Sequence, residues 1–418
     1  MTNFKKQIVS AVAAGAMLLN VAMPALASTE IVISGNGAGS DNWSTVNQTS
    51  NTTVTQNNTA NVTNDVDADA KTGGNDANYN TGGDVTIDTG DAKVEADVNN
   101  TLNSNSADVQ CCAGGDTNVE ISGNGAYSDN GVELKQNTTT KVTQGNNAYV
   151  TNDVDADAKT GWNDANGNTG GDVTVKTGKA TVDVDVATIA NVNSAKVGSS
   201  LGSSNPSASF VITGNGAGSE NFIGAILGKA TTVTQNNTAN VTNDVDADAK
   251  TGGNDANYNT GGDVLIDTGN ATVMADVDNA VNFNHADVDC GCTWDVLAKI
   301  AGNGAEGEYE NNEGDDNIIL LTLNSTQAVG QGNNANLDNN LEDLNAKTGY
   351  NDAELNTGDP GSDPTIMTGN ATVDAGVSNS GNVNSVGDLL PFDWPDFPGN
   401  FEFSFSFAAM MAFFGLSL

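Results

Sequence analysis

Apolar and polar residues alternate with period two along much of this chain. Val62, Asn64, Val66, Ala68 and Ala70 point one way, and Asn61, Thr63, Asp65, Asp67 and Asp69 point the other. Ala92, Val94, Ala96 and Val98 alternate in the same manner with Lys93, Glu95 and Asp97. The stripe returns as Ala180/Val182/Val184/Val186, Ala271/Val273/Ala275/Val277 and Ala371/Val373/Ala375/Val377. Alternation of small, often β-branched residues with polar ones predicts half-buried strands. Thr-Gly pairs at Thr72, Thr81 and Thr89, flanked by Asn and Asp, are turn signals suited to positive φ.

The pattern is itself repeated. Gly-Asn-Gly-Ala recurs at Gly35, Gly123, Gly214 and Gly302, and Lys-Thr-Gly recurs at Lys71, Lys159, Lys250 and Lys347, which divides the chain into four modules of about 88–97 residues. Residues 52–85 and 231–264 are identical, so the order is A-B-A′-B′. The fourth module is the most degenerate: it reads Asn340-Leu341-Glu342-Asp343-Leu344-Asn345 where the first has Asn64 to Asp69, and it inserts 359–364. Divergent end repeats suit the capping of a solenoid. The expected organisation is a leader (1–27), modules at 28–118, 119–208, 209–298 and 299–388, and an aromatic hydrophobic segment at 389–418. Within module one the turns are 9 and 8 residues apart, which predicts two strands and two turns per coil of about 17 residues. Five such rungs per module, at about 4.8 Å each, would make a rod near 95 Å long. The predicted fold is all-β, an elongated β-solenoid with a C-terminal hydrophobic element. Four separate β-sandwiches and a disordered chain are the competing readings, and the fixed phase of the apolar stripe argues against disorder.

Thr143-Gln144-Gly145-Asn146-Asn147-Ala148-Tyr149-Val150 and Gln331-Gly332-Asn333-Asn334-Ala335-Asn336-Leu337 resemble the Gln…Gly…Asn-x-Ala core of curlin repeats. Modules one and three carry the same segment without the Gly, as Gln56-Asn57-Asn58-Thr59-Ala60 and Gln235-Asn236-Asn237-Thr238-Ala239. Curlin repeats belong to secreted subunits that form β-solenoid rungs and polymerise into functional amyloid on bacterial surfaces. The resemblance covers one predicted strand-turn per module; the modules here are much longer than a curlin repeat, and its second Gln is missing. It is shared with other secreted Asn/Thr-rich repeat proteins and solenoid adhesins. It implies a β-solenoid and leaves polymerisation open.

Charge narrows the function further. The chain carries 53 Asp+Glu against 14 cations, all of them Lys, for a net charge of −39. Nucleic-acid binding needs clustered cations and Arg forks, so it is excluded, and phosphate-handling chemistry is disfavoured. A single His, His285, supports neither a repeated catalytic relay nor a His-rich zinc site. The apolar fraction of 37% lies below the roughly 45–50% of ordinary domains, whereas 61 Asn and 48 Gly fit a repetitive β architecture. At the N-terminus, Lys5 and Lys6 precede the apolar run Ile8–Val21, and Ala25-Leu26-Ala27 offers a cleavage site, so a Sec-type signal peptide cut after Ala27 is expected. A retained membrane anchor is the alternative, but the run is short of the about 20 residues that span a bilayer. Cleavage removes two Lys and no acid, taking −39 to −41.

Four groups of residues are candidates for chemistry or assembly. Asp65, Asp67 and Asp69 recur as Asp153, Asp155 and Asp157 and as Asp244, Asp246 and Asp248. They read either as a solvated strand face or as weak Ca²⁺ sites, since oxygen-only ligands select that ion. Ala70 stands where an EF-hand needs Gly and Asp76 where it needs Glu. Tyr79, Trp162, Tyr258 and Tyr350 fall once per module near the turn after Lys-Thr-Gly, the first and third five residues later than the others; they are turn plugs or sugar-stacking rings. Trp43 and Phe222 fit no pattern.

Cys111-Cys112 and Cys290-Gly291-Cys292 lie in the A-type modules, and secretion favours their oxidation. In a rod they would be about 48 Å apart, beyond disulfide reach, hence local pairs or intermolecular cross-links. The C-terminal end carries Phe401, Phe403, Phe405 and Phe407 on a period-two strand, then Phe413 and Phe414 in an uncharged tail. It reads as a cap over the last coil or as an assembly or anchoring element.

The expected protein is a non-enzymatic, secreted structural or adhesive component of a bacterial cell surface that associates with itself or with the cell envelope. A carbohydrate-binding adhesin recognising glycans, and an ice-binding solenoid built on runs such as Thr52-Thr53-Val54-Thr55, are the alternatives.

Overall fold

The alternating segments are strands, and one module closes one coil. A computed structural model describes residues 9–11, 16–21, 28–110, 116–198, 207–289, 295–304, 316–358, 361 and 363–387. Two short strands, β1 (Val9–Ala11) and β2 (Ala16–Val21), precede the coils. The first coil contains β3 (Thr29–Ser34), β4 (Asp41–Gly73), β5 (Val85–Asp88) and β6 (Ala92–Gln110). The second repeats it as β7 (Thr117–Ser122), β8 (Asp129–Gly161), β9 (Val173–Thr177) and β10 (Ala180–Gly198). The third holds β11 (Ser207–Thr213), β12 (Glu220–Gly252), β13 (Val264–Thr268) and β14 (Ala271–Asp289). In the fourth, β15 (Asp295–Ala301) is followed by β16 (Asn317–Asn340) and β17 (Leu344–Gly349), then β18 (Thr365–Met367) and β19 (Ala371–Val386).

Equivalent strands stack in parallel into four sheets, ordered β4-β8-β12-β16, β6-β10-β14-β19, β3-β7-β11-β15 and β5-β9-β13-β18. β17 extends the first of these along β12, and β1 and β2 lie on the free edge of β6. Each coil is flattened into two layers. Asn64 Nδ2 donates to Asn100 Oδ1 at 2.9 Å, Asn58 Nδ2 to Asn105 Oδ1 at 2.9 Å, and Thr72 Oγ1 to the Gly90 carbonyl at 2.7 Å. β6 therefore runs back beneath β4, and β3 continues that second layer, with Thr29 Oγ1 against Gln48 Oε1 at 3.2 Å.

The predicted coil of about 17 residues is corrected to a coil of one whole module. Residues 41–72 contain neither Gly nor Pro, so nothing interrupts β4 over 33 residues, about 110 Å of extended chain. The Thr-Gly signals between 72 and 90 are successive bends at one broad corner rather than the corners of several small coils. The stack is accordingly about 19 Å deep over four rungs, a slab rather than a rod near 95 Å long.

Apolar and amide zones alternate across the slab. Ala68, Val94, Val98 and their equivalents Ala156, Val182 and Val186 belong to the largest apolar cluster. Ala60, Leu102 and Val150 form another, and Val54, Ala107 and Val109 a third. Between these clusters lie continuous amide ladders. Gln144 Nε2 donates to Gln56 Oε1 at 2.7 Å, Gln235 Nε2 to Gln144 Oε1 at 2.8 Å, and Gln331 Nε2 to Gln235 Oε1 at 2.7 Å. Asn64, Asn152, Asn243 and Asn339 form a second column, linked at 2.7, 2.6 and 2.6 Å. Small residues and stackable amides fill much of this thin interior, with larger side chains such as Leu102, Phe210 and Phe283 also buried, and the ladders pair most of the buried amides.

Candidate functional site

The acidic residues line up in columns on the outer face of the long sheet. Asp65, Asp153 and Asp244 are in register, as are Asp67, Asp155 and Asp246, and Asp69, Asp157 and Asp248. Neighbouring carboxylates in a column are one rung, about 4.8 Å, apart. Asp155 is raised above the usual carboxylate pKa, first by desolvation and then by repulsion from Asp157, Asp67 and Asp69. Asp246 is raised likewise, by desolvation and then by Asp244 and Asp343. Lysines from the adjoining column offset part of this charge: Lys71 pairs with Asp69 at 3.4 Å, Lys159 with Asp157, and Lys250 with Asp248. In the fourth coil Asn340 and Asn345 replace the acids facing Asp244 and Asp248. Among the described residues, no three His, Cys, Asp or Glu side chains converge as a metal-holding group.

A second acidic patch lies on the outer face of the sheet built on β6, where Asp97, Asp185 and Asp276 share a column. Asp185 is pushed up to about 7, mainly by desolvation and then by Asp183, Asp97, Asp276 and Asp278. Desolvation also raises Asp97, Asp183, Asp276 and Asp278, with Lys93 acting in the opposite sense on Asp97 and Asp183. An acid whose pKa rises on folding costs nothing below its unfolded value of 3.8, costs progressively more as pH rises towards 7, and costs its full amount above that. Asp185→Asn is therefore expected to raise Tm at pH 8 and leave it unchanged at pH 4. With solvent screening of this half-exposed site the gain is on the order of 1 kcal/mol, a few degrees. An equal shift at both pH values in thermal unfolding would show that the substitution acts through packing instead.

The aromatic residues occupy two neighbouring columns at the corner after the long strand. Backbone bonds from Gly74 N to the Gly161 carbonyl, Trp162 N to that of Gly252 and Gly253 N to that of Gly349 place Gly74, Trp162, Gly253 and Tyr350 in one column. Tyr79, Gly167, Tyr258 and Leu355 form the other by the same pattern. This is the origin of the five-residue offset in the sequence. All eight positions have φ between 53 and 68°. The rings lean toward the following coil: a Cβ on Gly253 would lie 3.2 Å from Trp162 Nε1, and one on Gly167 would lie 2.8 Å from the Tyr79 ring. Tyr79 and Trp162 thus lie over glycines of the next coil, while Tyr258 is followed by Leu355, and Tyr79 at 82% and Tyr350 at 88% exposure remain largely in solvent.

Trp43 and Phe222, which carried no pattern in the sequence, stack at 6.2 Å across the intervening Gly131, where any Cβ would strike the Trp43 ring. The Thr array of an ice-binding face is interrupted. Thr53 and Thr55 align with Lys141 and Thr143, and Thr232 and Thr234 with Ala328 and Gly330.

The segments that resemble curlin cores lie in mid-strand, without the turn expected of them: Gln144, Asn146, Ala148 and Val150 all point into β8's buried face. Their recurrence at inward positions 88, 91 and 96 residues apart is the signal that marks the ladders. Cys111, Cys112, Cys290 and Cys292 lie outside the described residues, as do Phe401, Phe403, Phe405, Phe407, Phe413 and Phe414. The separation of about 48 Å expected between the cysteine pairs does not hold for the strands leading to them. Gln110 and Asp289 both pair with Gly198, one on each side, which puts them two rungs or about 10 Å apart. No family model, no curated protein and no solved structure matches the chain.

Proposed function

We propose that this chain is a secreted, non-enzymatic structural or adhesive protein of the bacterial cell surface. The observation that carries the reading is where the polar residues are used. Inward Gln and Asn side chains bond from coil to coil across the entire stack, and the outward carboxylates form solvated columns. Such a molecule offers broad, repetitive, acidic faces, the form expected of a scaffold rather than of a catalyst working through one cleft. The apolar run beginning at Ile8 and the Ala-Leu-Ala at 25–27 supply the export signal this role requires.

The test is expression in a secreting bacterium, followed by protease shaving of intact cells and N-terminal analysis of the shed chain. Accessible fragments beginning at Ser28 are expected; a full-length chain protected inside the cell would overturn the reading.

A further inference from the structure

We infer that the two ends of the stack are complementary, and that the partner of each is a second copy of this chain, stacked head to tail in the register the coils already use. The inference deepens the structural reading above by naming the partner and the two faces it joins.

The precedent is inside the molecule. Coil three lies on coil two through all 33 residues of β12 paired with β8. Coil one carries, over 52–85, the same 34 residues that coil three carries over 231–264. It therefore presents to its open side the face that coil three buries. Identical residues differ accordingly: Asn254 is fully buried and its counterpart Asn75 is exposed.

The opposite end is equally unfinished. Val373 and Val377 continue core columns in which Val273 and Val277 are buried, yet they are 46% and 50% exposed. Asn75, Asn163 and Asn254 each donate Nδ2 to the Oδ1 of the next coil, at 3.0, 2.8 and 2.8 Å, ending on Asn351. Asn351 Nδ2 is itself buried with no hydrogen-bond partner. A following coil one would bring Asn75 Oδ1 to that amide, with donor and acceptor in the same sense as at every internal step.

The corner column agrees. Trp162 leans over Gly253, and among the described residues Tyr350 is the last member of the same column. The residue that a next copy would supply there is Gly74, at φ +68° against +67° for Gly253, with nothing within 4 Å of its Cβ position. A shallow depression lined by Gly73, Gly74, Thr72 and Trp162 opens at this seat.

Such a contact is heterologous and does not close, so it propagates into a filament with a rise of about 19 Å per copy, four rungs of about 4.8 Å. β1 and β2 lie on β6, the strand edge that β19 of a preceding copy would take. Leader removal is thus required to open the junction.

The test compares purified chain 28–418 with chain 1–418 and with the double variant Asn351→Asp/Asn384→Asp of 28–418, by sedimentation, negative-stain microscopy and fibre diffraction. In the variant, both carboxylates still accept the bonds that Asn254, Asn284 and Asn333 donate, so coil four is kept. Each would face the next copy with an oxygen instead of an N–H. Thr151→Asp, on the outer face of coil two and flanked by Thr63 and Thr242 of its own chain, is the charge control, and circular dichroism checks that every chain is folded.

Filaments with the 19 Å repeat are expected from 28–418 and from the control, with assembly reduced about tenfold or more in the double variant, the factor that about 1.4 kcal/mol makes. Folded monomers of 28–418 at all concentrations, or filaments unaffected by the double variant, would overturn the stacking. Equal assembly of chain 1–418 would overturn the placement of β6 in the junction. None of these results bears on surface exposure, which cell shaving decides separately.

Discussion

Gly161→Ala is expected to destabilise the stack by on the order of 4 kcal/mol, the range reserved for gross steric conflict. Gly161 ends β8 at φ +124°, where L side chains are strained, and a Cβ built on it would lie 2.0 Å from the Gly252 carbonyl oxygen and 2.8 Å from its nitrogen. Both obstructing atoms are backbone of the next rung, so no rotamer change relieves the overlap. The coils must part at this corner, breaking the bond from Trp162 N to the Gly252 carbonyl at 3.0 Å. Gly330→Ala is the control. It has ordinary φ and nothing within 4 Å of its Cβ position, so it is expected to fall within about 0.5 kcal/mol of the parent. Urea unfolding of the two variants side by side decides the matter; similar midpoints would mean that the corner does not need the close approach.

The second large effect is expected from Gln144→Leu, at about 3–5 kcal/mol by the same measurement. Gln144 is fully buried, donates to Gln56 Oε1 at 2.7 Å and to the Ser194 carbonyl at 2.9 Å, and accepts from Gln235 Nε2 at 2.8 Å. Leucine fills a similar volume but removes both donors and the acceptor, leaving neighbouring amides and a carbonyl short of bonds in a region water does not reach. Replacing the whole column, Gln56, Gln144, Gln235 and Gln331, by Leu removes donors and acceptors together and is expected to cost less per site than the single change. A single variant no worse than one quarter of the quadruple would show that the ladder does not act as a cooperative column.

Both predictions depend on contacts between residues 50 to 91 positions apart, and this is where legibility in the sequence stops. The alternation of Val66, Ala68 and Ala70 with Asp65, Asp67 and Asp69 identified the strand, and which side chains face inward, correctly. The fourfold repeat identified a solenoid. Coil length does not follow from the spacing of the turn signals at 72–90; it follows from their absence over 41–72, which lets one strand run the length of the coil. Trp43 and Phe222 looked patternless because they interact across two rungs with a glycine between them, a relation visible only once three coils are superposed. The Asp columns were legible as repeated triplets, but which carboxylates are perturbed was not. Asp185 owes its shift to desolvation and to neighbours on adjacent rungs such as Asp97 and Asp276.

Local composition was therefore enough for the all-β class, the four modules, the acidic outer faces and the inward amides, because strand alternation and repeat period are properties of the chain read in order. The tertiary structure alone decided that one module makes one coil, that Gln and Asn form continuous ladders, and that Tyr79 and Trp162 sit over glycines of the next coil. Those outcomes depend on parallel register between coils. Register is set jointly by the long uninterrupted strand and by side chains that find partners only on the neighbouring rung.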